Sequence, residues 1–257
     1  MGDSNRALIA KKYVEYINSK YKKEIAESIK NTEMHNDVKF YSKLENGTAI
    51  IKVEPIDSVE AVIKGNGKRQ CLLNFASYKH PGGGFLGGSM AQEEALCHES
   101  TLYSILVNFQ KSFYDKNSLD TNNALYRNKA LYTRDVIFER NKKAVASDVL
   151  SCACPNWNAA KSKGITKEQN ETALRSRIKY ILMLASSHQI NRLILGAYGC
   201  GVFGQDAKVV ARIFHEEITK TLIHKKIEIV FAIPKGNGNY EAFKKEFEKE
   251  KNRWARN

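Results

Sequence analysis

Short β-rich runs alternate with helical patterns along most of this sequence, and that alternation constrains the fold more than any other feature. The runs are AIIKV (49–53), QCLLNF (70–75), RDVIF (134–138), SDVLSCA (147–153), RLILGA (192–197) and IEIVFAI (227–233). Strands that alternate with long helices favour a sheet with helices on both of its faces. The sequence therefore predicts an α/β fold.

Two of the helices between these runs carry the signature of a capping box at their first turn. Ser89 is followed three residues later by Gln92, and Thr166 by Gln169. In such a box the hydroxyl and the amide side chains satisfy backbone N–H groups at the start of the helix. We therefore expect one long helix to begin near Ser89 and another near Thr166.

The remaining helical patterns lie at the two ends of the chain. Residues 4–31 have the spacing of two charged amphipathic helices, and residues 240–254 that of a charged surface helix. The sequence has no internal repeat and no low-complexity block. We expect a single domain over residues 1–257, with residues 1–45 forming an N-terminal helical extension packed on it.

The apolar runs and the cysteines indicate a cytoplasmic protein. No apolar run approaches the roughly 18 residues that span a bilayer, and the N-terminus does not resemble a secretory signal. The five cysteines are an odd number and lie mostly in or beside apolar stretches, as reduced thiols do. Cys152 and Cys154 form a C-x-C pair without a second pair at zinc-ligand spacing, so no metal site is expected there.

The formal charge of +13 at pH 7 allows two interpretations. A polyanion such as nucleic acid or another phosphate-rich polymer is one possible partner. Alternatively, the charge is spread over solvated surfaces. The basic residues are mostly scattered lysines, with no arginine-rich arm and no basic stripe interleaved with aromatic residues. We therefore expect no dedicated nucleic-acid binding.

A glycine-rich segment, GAYGCGVFGQD (196–206), follows the run RLIL and precedes a helical pattern. Residues 199–204 spell G-x-G-x-x-G, the dinucleotide fingerprint. The Rossmann version places this loop in a first β-α-β unit with an acidic residue about 20 positions later, at a strand end. Here the loop comes late in the chain and the nearby acids lie inside a helix. A structural turn and a pyrophosphate-binding loop both remain open.

A second glycine-rich segment, PGGGFLGGSMAQEE (81–94), follows the run QCLLNF and ends on two adjacent acids. Open α/β folds bind ligands at the carboxyl ends of their strands. Glu93 and Glu94 in the first turn of a helix are stabilised by the helix dipole, which is a structural reason for one acid. That reason does not account for the glycines. A carboxylate beside a bare loop that closes on an anion is suited to acid–base chemistry.

The adjacency of Glu93 and Glu94 excludes the arrangement of an ordinary glycosidase, whose two carboxylates flank the scissile bond from separate positions. Consecutive helical residues point about 100° apart. One acid could therefore carry the chemistry while the other orients the substrate.

These two segments together resemble the poly(ADP-ribose) glycohydrolases in their bacterial-type form. The resemblance rests on GGG followed after seven residues by QEE, on the surrounding NFASYKHPGGGFLGGSMAQEEALC, and on LILGAYGCGVFGQD. It extends over the order of elements from about residue 5 to about residue 245. The family implies a macrodomain-like three-layer sandwich, a mixed central sheet between helices, which binds ADP-ribose without a metal. No cofactor is implied.

The resemblance also assigns roles to residues of this sequence. Glu94 would protonate the leaving oxygen of the ribose–ribose bond and then activate water, while Glu93 would hold the hydroxyls of the released ribose. Asn74 would hydrogen-bond the distal ribose, and Gln92 would position the loop and the acids. The diphosphate would contact the catalytic loop (Gly82, Gly83, Gly84) and the second loop (Gly199, Cys200, Gly201, Val202, Phe203), and Phe203 would pack on the ribose.

Asn74 and Phe203 also have ordinary structural interpretations, as a turn-forming asparagine and a core aromatic residue. The adenine pocket has no clear sequence signal. Val53-Glu54 is a candidate, and residues 155–158 (PNWN) either line the cleft or form a local turn with a buried tryptophan. None of the six histidines has a partner in the sequence that suggests a role.

Four functions are consistent with these patterns to different degrees. The expected one is an enzyme that cleaves ribose–ribose O-glycosidic bonds of poly(ADP-ribose), in an exo mode, and releases ADP-ribose. The alternatives within the family are a non-catalytic ADP-ribose-binding macrodomain and a hydrolase of mono-ADP-ribosyl adducts. A nicotinamide-dependent oxidoreductase is indicated by the literal G-x-G-x-x-G alone. The sequence does not indicate the oligomeric state.

Overall fold

The computed structural model describes residues 3–36, 47–65 and 69–254. The strands in these ranges are β1 (Glu33–Asn36), β2 (Ile50–Glu54), β3 (Gln70–Phe75), β4 (Lys129–Arg140), β5 (Lys143–Cys152), β6 (Arg192–Leu195) and β7 (Glu228–Ala232). The α-helices are α1 (Asp3–Lys20), α2 (Lys22–Lys30), α3 (Ser58–Ile63), α4 (Gln92–His98), α5 (Leu102–Leu106), α6 (Asp115–Ser118), α7 (Trp157–Lys161), α8 (Lys167–Ser187), α9 (Ala207–Thr221) and α10 (Asn239–Trp254).

The strands form one mixed seven-stranded sheet in the order β1-β4-β5-β3-β6-β7-β2. Strands β5, β3, β6, β7 and β2 run parallel to their neighbours in that order. The long hairpin β4–β5 and the edge strand β1 add antiparallel pairs. The parallel strands therefore bring their carboxyl ends to the same edge of the sheet, and the sheet is mixed, as the resemblance implied.

Alternate residues of the central strands face two separate hydrophobic layers. Leu73, Leu150 and Leu193 pack with helices α8, α9 and α10. Their neighbours Leu72 and Val149 pack on the opposite face with helices α1 to α5. This alternation follows from the period of two in a β-strand. Helices thus cover both faces of the sheet, which confirms the predicted α/β sandwich.

The predicted secondary structure is confirmed for most elements, and the N-terminal segment differs in one respect. Helices α1 and α2 match the two amphipathic patterns, and α8 begins with the expected Thr166–Gln169 capping box. The segment that we expected to be a helical extension also contributes β1, which pairs with β4 at the edge of the sheet. Residues 37–45 of that predicted extension lie outside the described residues.

The predicted helix from Ser89 is wrong in both its start and its length. Helix α4 begins at Gln92 with Ala91 as its N-cap and no side-chain cap, and it ends at His98. A bend at Glu99–Thr101, which pairs with β4, separates it from α5. Gln92 has tertiary partners instead of the capping partner that the local pattern predicted.

Among the helices that the structure describes, none combines the length and the apolar composition that crossing a bilayer requires.

Candidate active site

The neighbouring strands β3 and β6 separate towards their carboxyl ends. They pair from Gln70 as far as Leu72 with Ile194, whereas β3 continues to pair with β5 up to Phe75. A cleft of about 600 Å³ lies at this edge. Phe75 and Ala197, which follow the separation on the two strands, both line it. Such a divergence at the carboxyl ends is where open α/β folds bind ligands.

Gln92 occupies the gap in hydrogen bonding that this divergence leaves beside β3. Its Oε1 accepts a hydrogen bond from the backbone N–H of Phe75 at 2.9 Å. Its Nε2 donates to the carbonyl of Leu73 at 3.0 Å and to Ser58 Oγ at 3.2 Å. The amide therefore fixes the first residue of α4 to the end of β3 and to the start of α3. The next two residues of α4 are the acids.

Glu93 is buried and both of its carboxylate oxygens accept hydrogen bonds. Oε1 accepts from Asn74 Nδ2 at 3.1 Å, and Oε2 accepts from the backbone N–H of Ser77 at 2.7 Å. Burial raises the pKa of Glu93 to about 8, and the neighbouring Glu94 carboxylate acts in the same direction. The Ser77 and Asn74 donors oppose this rise because they favour the charged form. Glu93 is thus held in one orientation, and its burial favours the protonated carboxyl more than water does.

Glu94 differs from Glu93 in the use of its two oxygens. Oε1 accepts a hydrogen bond from the backbone N–H of Gly84 at 2.8 Å. Oε2 is buried and has no hydrogen-bond partner among the described residues. The whole residue is only 7% exposed. Buried polar atoms normally have partners, and an exception calls for an explanation such as a catalytic role.

The first glycine-rich loop packs directly against these acids. Gly82 and Gly83 have φ values of +69° and +59°, in the left-handed region. A Cβ on Gly83 would overlap Glu94 Oε1 and would lie 3.0 Å from Glu93 Oε2. A Cβ on Gly84 would overlap the side chain of Ser89. The glycines therefore allow the loop backbone to reach the carboxylates, and the structure brings Gly82, Gly83 and Gly84 together with both acids as predicted.

The second glycine-rich loop forms another wall of the cleft. Gly199, Gly201, Val202 and Phe203 line it, together with Gln92. Cys200 is not among the lining residues in the described part of the chain, and its thiol lies 3.7 Å from the carbonyl of Tyr198. Residues 199–203 thus share one cleft with the start of α4, although Cys200 faces away from it.

Neither the candidate adenine-pocket residues Val53 and Glu54 nor residues 155–158 are among those that line this cleft. Glu54 ends β2 and its carbonyl accepts a hydrogen bond from Ile233. Asn156 caps α7 by accepting from the N–H of Ala159, and Trp157 is half-buried rather than buried. Residues 155–158 therefore form a local turn into a helix. Of the two interpretations that the sequence allowed, cleft lining and a local turn, the structure shows the local turn.

Several cleft residues were missed by the sequence reasoning. They are Asp57 and Ser58 at the start of α3, Arg140 at the end of β4, and Lys235 and Asn237 after β7. Arg140 donates to Asp57 at 2.9 Å and to Glu99 at 2.5 Å, which joins α3, α4 and β4. The segment PKGNGN (234–239) follows a predicted strand and is rich in glycine and asparagine. That signal could have identified it as a loop at the ligand edge.

A cleft thus lies at the carboxyl edge of a mixed sheet, and beside it a glycine-rich loop packs against two adjacent acids. The sequence profile of the microbial-type PARG catalytic domain matches residues 5–141, which is more than half of the chain. The chain belongs to the microbial-type poly(ADP-ribose) glycohydrolase (PARG) family. The matched range includes α4 and the first glycine-rich loop.

Solved structures of bacterial PARG enzymes resemble the chain over nearly its whole length. PARG from Thermomonospora curvata aligns with a TM-score of 0.85 and 26% identity, covering 95% of this chain and 100% of that one. Its complex with the inhibitor ADP-HPD gives a TM-score of 0.81 at 26% identity, with 94% and 99% covered. PARG from Deinococcus radiodurans in complex with ADP-ribose gives 0.81 at 28% identity, with 88% and 97% covered. A comparison with curated protein sequences gave no match.

Proposed function

We propose that the chain is a poly(ADP-ribose) glycohydrolase that cleaves ribose–ribose O-glycosidic bonds and releases ADP-ribose. Membership of the PARG family supports this function. The Deinococcus relative binds ADP-ribose and the Thermomonospora relative binds ADP-HPD. We further propose an exo mode, in which the terminal ADP-ribose unit of the polymer occupies the cleft.

The observation that carries the proposal is the buried and unpartnered Glu94 Oε2. A carboxylate oxygen deprived of both water and hydrogen bonds is costly to maintain. The cost is explained if this oxygen meets a substrate group. Its partner oxygen is fixed by Gly84 N–H, so Oε2 has a defined direction.

In the proposed reaction Glu94 acts first as the acid and then as the base. The protonated carboxyl transfers its proton to the leaving ribose oxygen as the bond from that oxygen to the anomeric carbon C1″ breaks. A water molecule then attacks C1″, and its proton returns to Glu94. The products are free ADP-ribose and a polymer shortened by one unit.

Glu93 would orient the ribose whose bond is cleaved. Its oxygens are held by Asn74 and by Ser77 N–H. Because burial favours the neutral form of Glu93, this residue adds less negative charge beside Glu94, which lowers repulsion within the site. Asn74 Oδ1, buried and without a partner in the described residues, would accept a hydrogen bond from a ribose hydroxyl.

The two glycine-rich loops would bind the diphosphate. Backbone N–H groups of bare loops attract phosphate oxygens. Gly82, Gly83 and Gly84 would approach it from the side of the acids, with Gln92 fixing that side. Gly199 to Val202, Cys200 included, would approach it from β6, and Phe203 would pack on the ribose.

The proposal extends to the domain organisation, the partners and the cellular compartment of the protein. We take residues 1–257 as one domain, because the sheet includes strands from residue 33 to residue 232. Poly(ADP-ribose) or ADP-ribosylated macromolecules are the proposed partners, and the odd number of cysteines favours the reducing cytoplasm.

Glu94→Gln tests the mechanism. Gln cannot exchange the proton, so the rate of ADP-ribose release from labelled polymer should fall by about 10²–10⁴-fold. Affinity for ADP-ribose, measured by calorimetry, should change little. Glu27→Gln, an exposed glutamate on α2, serves as the matched control and should keep the normal rate. A Glu94→Gln protein that degrades polymer at the normal rate would contradict the mechanism.

The same experiment distinguishes the alternatives. A wild-type protein that binds ADP-ribose but releases none from polymer is a binding macrodomain. One that releases ADP-ribose only from singly modified proteins is a mono-ADP-ribosyl hydrolase.

A further inference from the structure

A second cavity of about 390 Å³ lies beside the edge strand β1, and it contains two of the histidines for which the sequence suggested no role. Its walls include Glu33 and His35 on β1, and His188 at the end of α8. The cavity lies on the α8 face of the sheet, opposite the face on which α4 packs. Strand β1 is three positions from β3 in the sheet, which is about 14 Å. The cavity is therefore separate from the candidate active site.

One oxygen of Glu33 lies close to both histidines. Glu33 Oε2 is 3.4 Å from His35 Nε2 and 3.3 Å from His188 Nε2. Ligands at about 2.0–2.1 Å from a tetrahedral zinc ion are themselves about 3.3 Å apart. Both separations match an edge of that tetrahedron. The three ligand atoms all lie within 4.8 Å of one another, so a small movement of the histidines would close the third edge.

The contacts of the His188 ring fix which nitrogen is available. Its Nδ1 lies 2.9 Å from the carbonyl of Leu184, which can only accept a hydrogen bond, so Nδ1 carries a proton. Nε2, 3.3 Å from Glu33 Oε2, is then the nitrogen that can bind a metal ion. A backbone carbonyl holding the second nitrogen is also the usual arrangement around a metal-bound histidine.

The surroundings hold these three side chains in place. Tyr132 stacks on the His188 ring with centroids 3.5 Å apart. Arg134 donates to the other oxygen of Glu33 at 3.0 Å, which leaves Oε2 directed at the histidines. Arg69, also in the wall, is 3.6 Å from Asp148, so both arginine charges are paired with a carboxylate. The C-terminal end of the α8 dipole adds a partial negative charge beside His188.

We propose that Glu33, His35 and His188 bind one Zn²⁺ ion, with water at the fourth position. The ligand set of two imidazoles and one carboxylate suits zinc. Glu33 and His35 are two residues apart on a strand, so they face the same side of it. The ion would join β1 to the end of α8 and would thereby fix the N-terminal segment to the sheet. It would take no part in the glycosidic chemistry.

Zinc titration of the chelator-treated full chain tests the proposal. Calorimetry in chelator-free buffer and metal analysis after dialysis should both give one Zn²⁺ per chain, and zinc should raise the melting temperature. His35→Asn and His188→Asn should each weaken binding by about 100-fold or more, because removing a neighbour of a ligand alone costs 10–100-fold. His35→Asn provides the decisive measurement if His188→Asn loses its packing on Tyr132 and unfolds.

Two substitutions serve as controls. His224→Asn removes an exposed histidine outside the cavity, and Cys200→Ser removes the most accessible thiol. Both should bind zinc as the wild type does, as should Glu94→Gln, so the result does not depend on the proposed function. The proposal is overturned if zinc does not bind saturably, if binding survives His35→Asn unchanged, or if Cys200→Ser abolishes it.

Discussion

The two glycine-rich loops follow β3 and β6 at the same edge of the sheet, but their glycines face different surroundings. A side chain on Gly83 would collide with both acids, whereas a Cβ on Gly201 would meet nothing within 4 Å. Val202 beside it is 74% exposed. Gly82, Gly83 and Gly84 of the first loop have no room for a side chain because protein atoms lie against them. At Gly201, in the middle of the second loop, a side chain would have room, so packing does not require glycine there.

Gly83→Ala should have the largest effect of the substitutions that test this comparison. Alanine at φ +59° costs about 1–2 kcal/mol, and its methyl group would displace Glu94. A displacement of about 1 Å in a catalytic group lowers rates by about 100-fold. We expect a fall of that size in polymer hydrolysis and a lower melting temperature. An active and stable Gly83→Ala protein would show that the first loop is not held against the acids.

Gln92→Ala should have the next largest effect, because it leaves the Phe75 N–H and the Leu73 carbonyl without their partner. An unsatisfied buried group costs about 1–3 kcal/mol. We expect a loss of about 2 kcal/mol in the free energy of unfolding and about 10-fold in the rate. Gln169→Ala is the matched control, since Gln169 sits at the third position of α8 in a true capping box. It should lower stability by about 1 kcal/mol and leave the rate unchanged.

Glu93 should give the stability a pH dependence that the second loop lacks. Its pKa is raised from 4.5 to about 8 in the folded protein, so the folded state binds more protons than the unfolded state between these values. Stability from this group is fully present below about pH 4.5 and is lost as the pH rises through about 8. Relative to Glu93→Gln, the wild type should lose on the order of 1 kcal/mol per pH unit in this window. Denaturant titrations from pH 5 to 9 measure the difference, and parallel curves for the two proteins would contradict it.

Gly201→Ala should have the smallest effect on the fold. The backbone at Gly201 does not have a positive φ and the added methyl group has room. Stability should therefore stay the same or rise by about 0.4–1 kcal/mol. Binding of ADP-ribose should nevertheless weaken several-fold if the diphosphate lies on this loop. Unchanged affinity, measured by calorimetry, would remove the second loop from the proposed site.

The sequence predicted those features whose causes are local or that recur as motifs. The runs QCLLNF and RLIL are continuous and apolar because β3 and β6 are buried on both faces, and that pattern identifies them without a structure. Of the Gln-Glu-Glu motif, Gln92 lines the cleft, and Glu93 and Glu94 follow it as buried residues in the first turn of α4. Strand β1 escaped detection because EMHN is short and has no apolar alternation.

Other failures involve partners that are distant in the sequence. Gln92 has the local spacing of a capping residue, but its partners Phe75 and Leu73 lie 17 and 19 residues earlier. Arg140 lines the cleft and donates a hydrogen bond to Asp57, which lies 83 residues away. The histidines show the same limit, since Glu33 and His188 are separated by 155 residues. Tertiary contacts decide the roles of such side chains.

The attachment of Gln92 to β3 has a consequence for substrate selection. Because the amide is bonded to both an N–H and a carbonyl of the strand, the start of α4 can neither slide along β3 nor rotate about it. We therefore expect the carboxyl groups of Glu93 and Glu94 to keep the same position relative to the sheet, whichever substrate binds. The segments after β6 and β7 line the same cleft. We therefore expect relatives with a different substrate preference to differ in those segments.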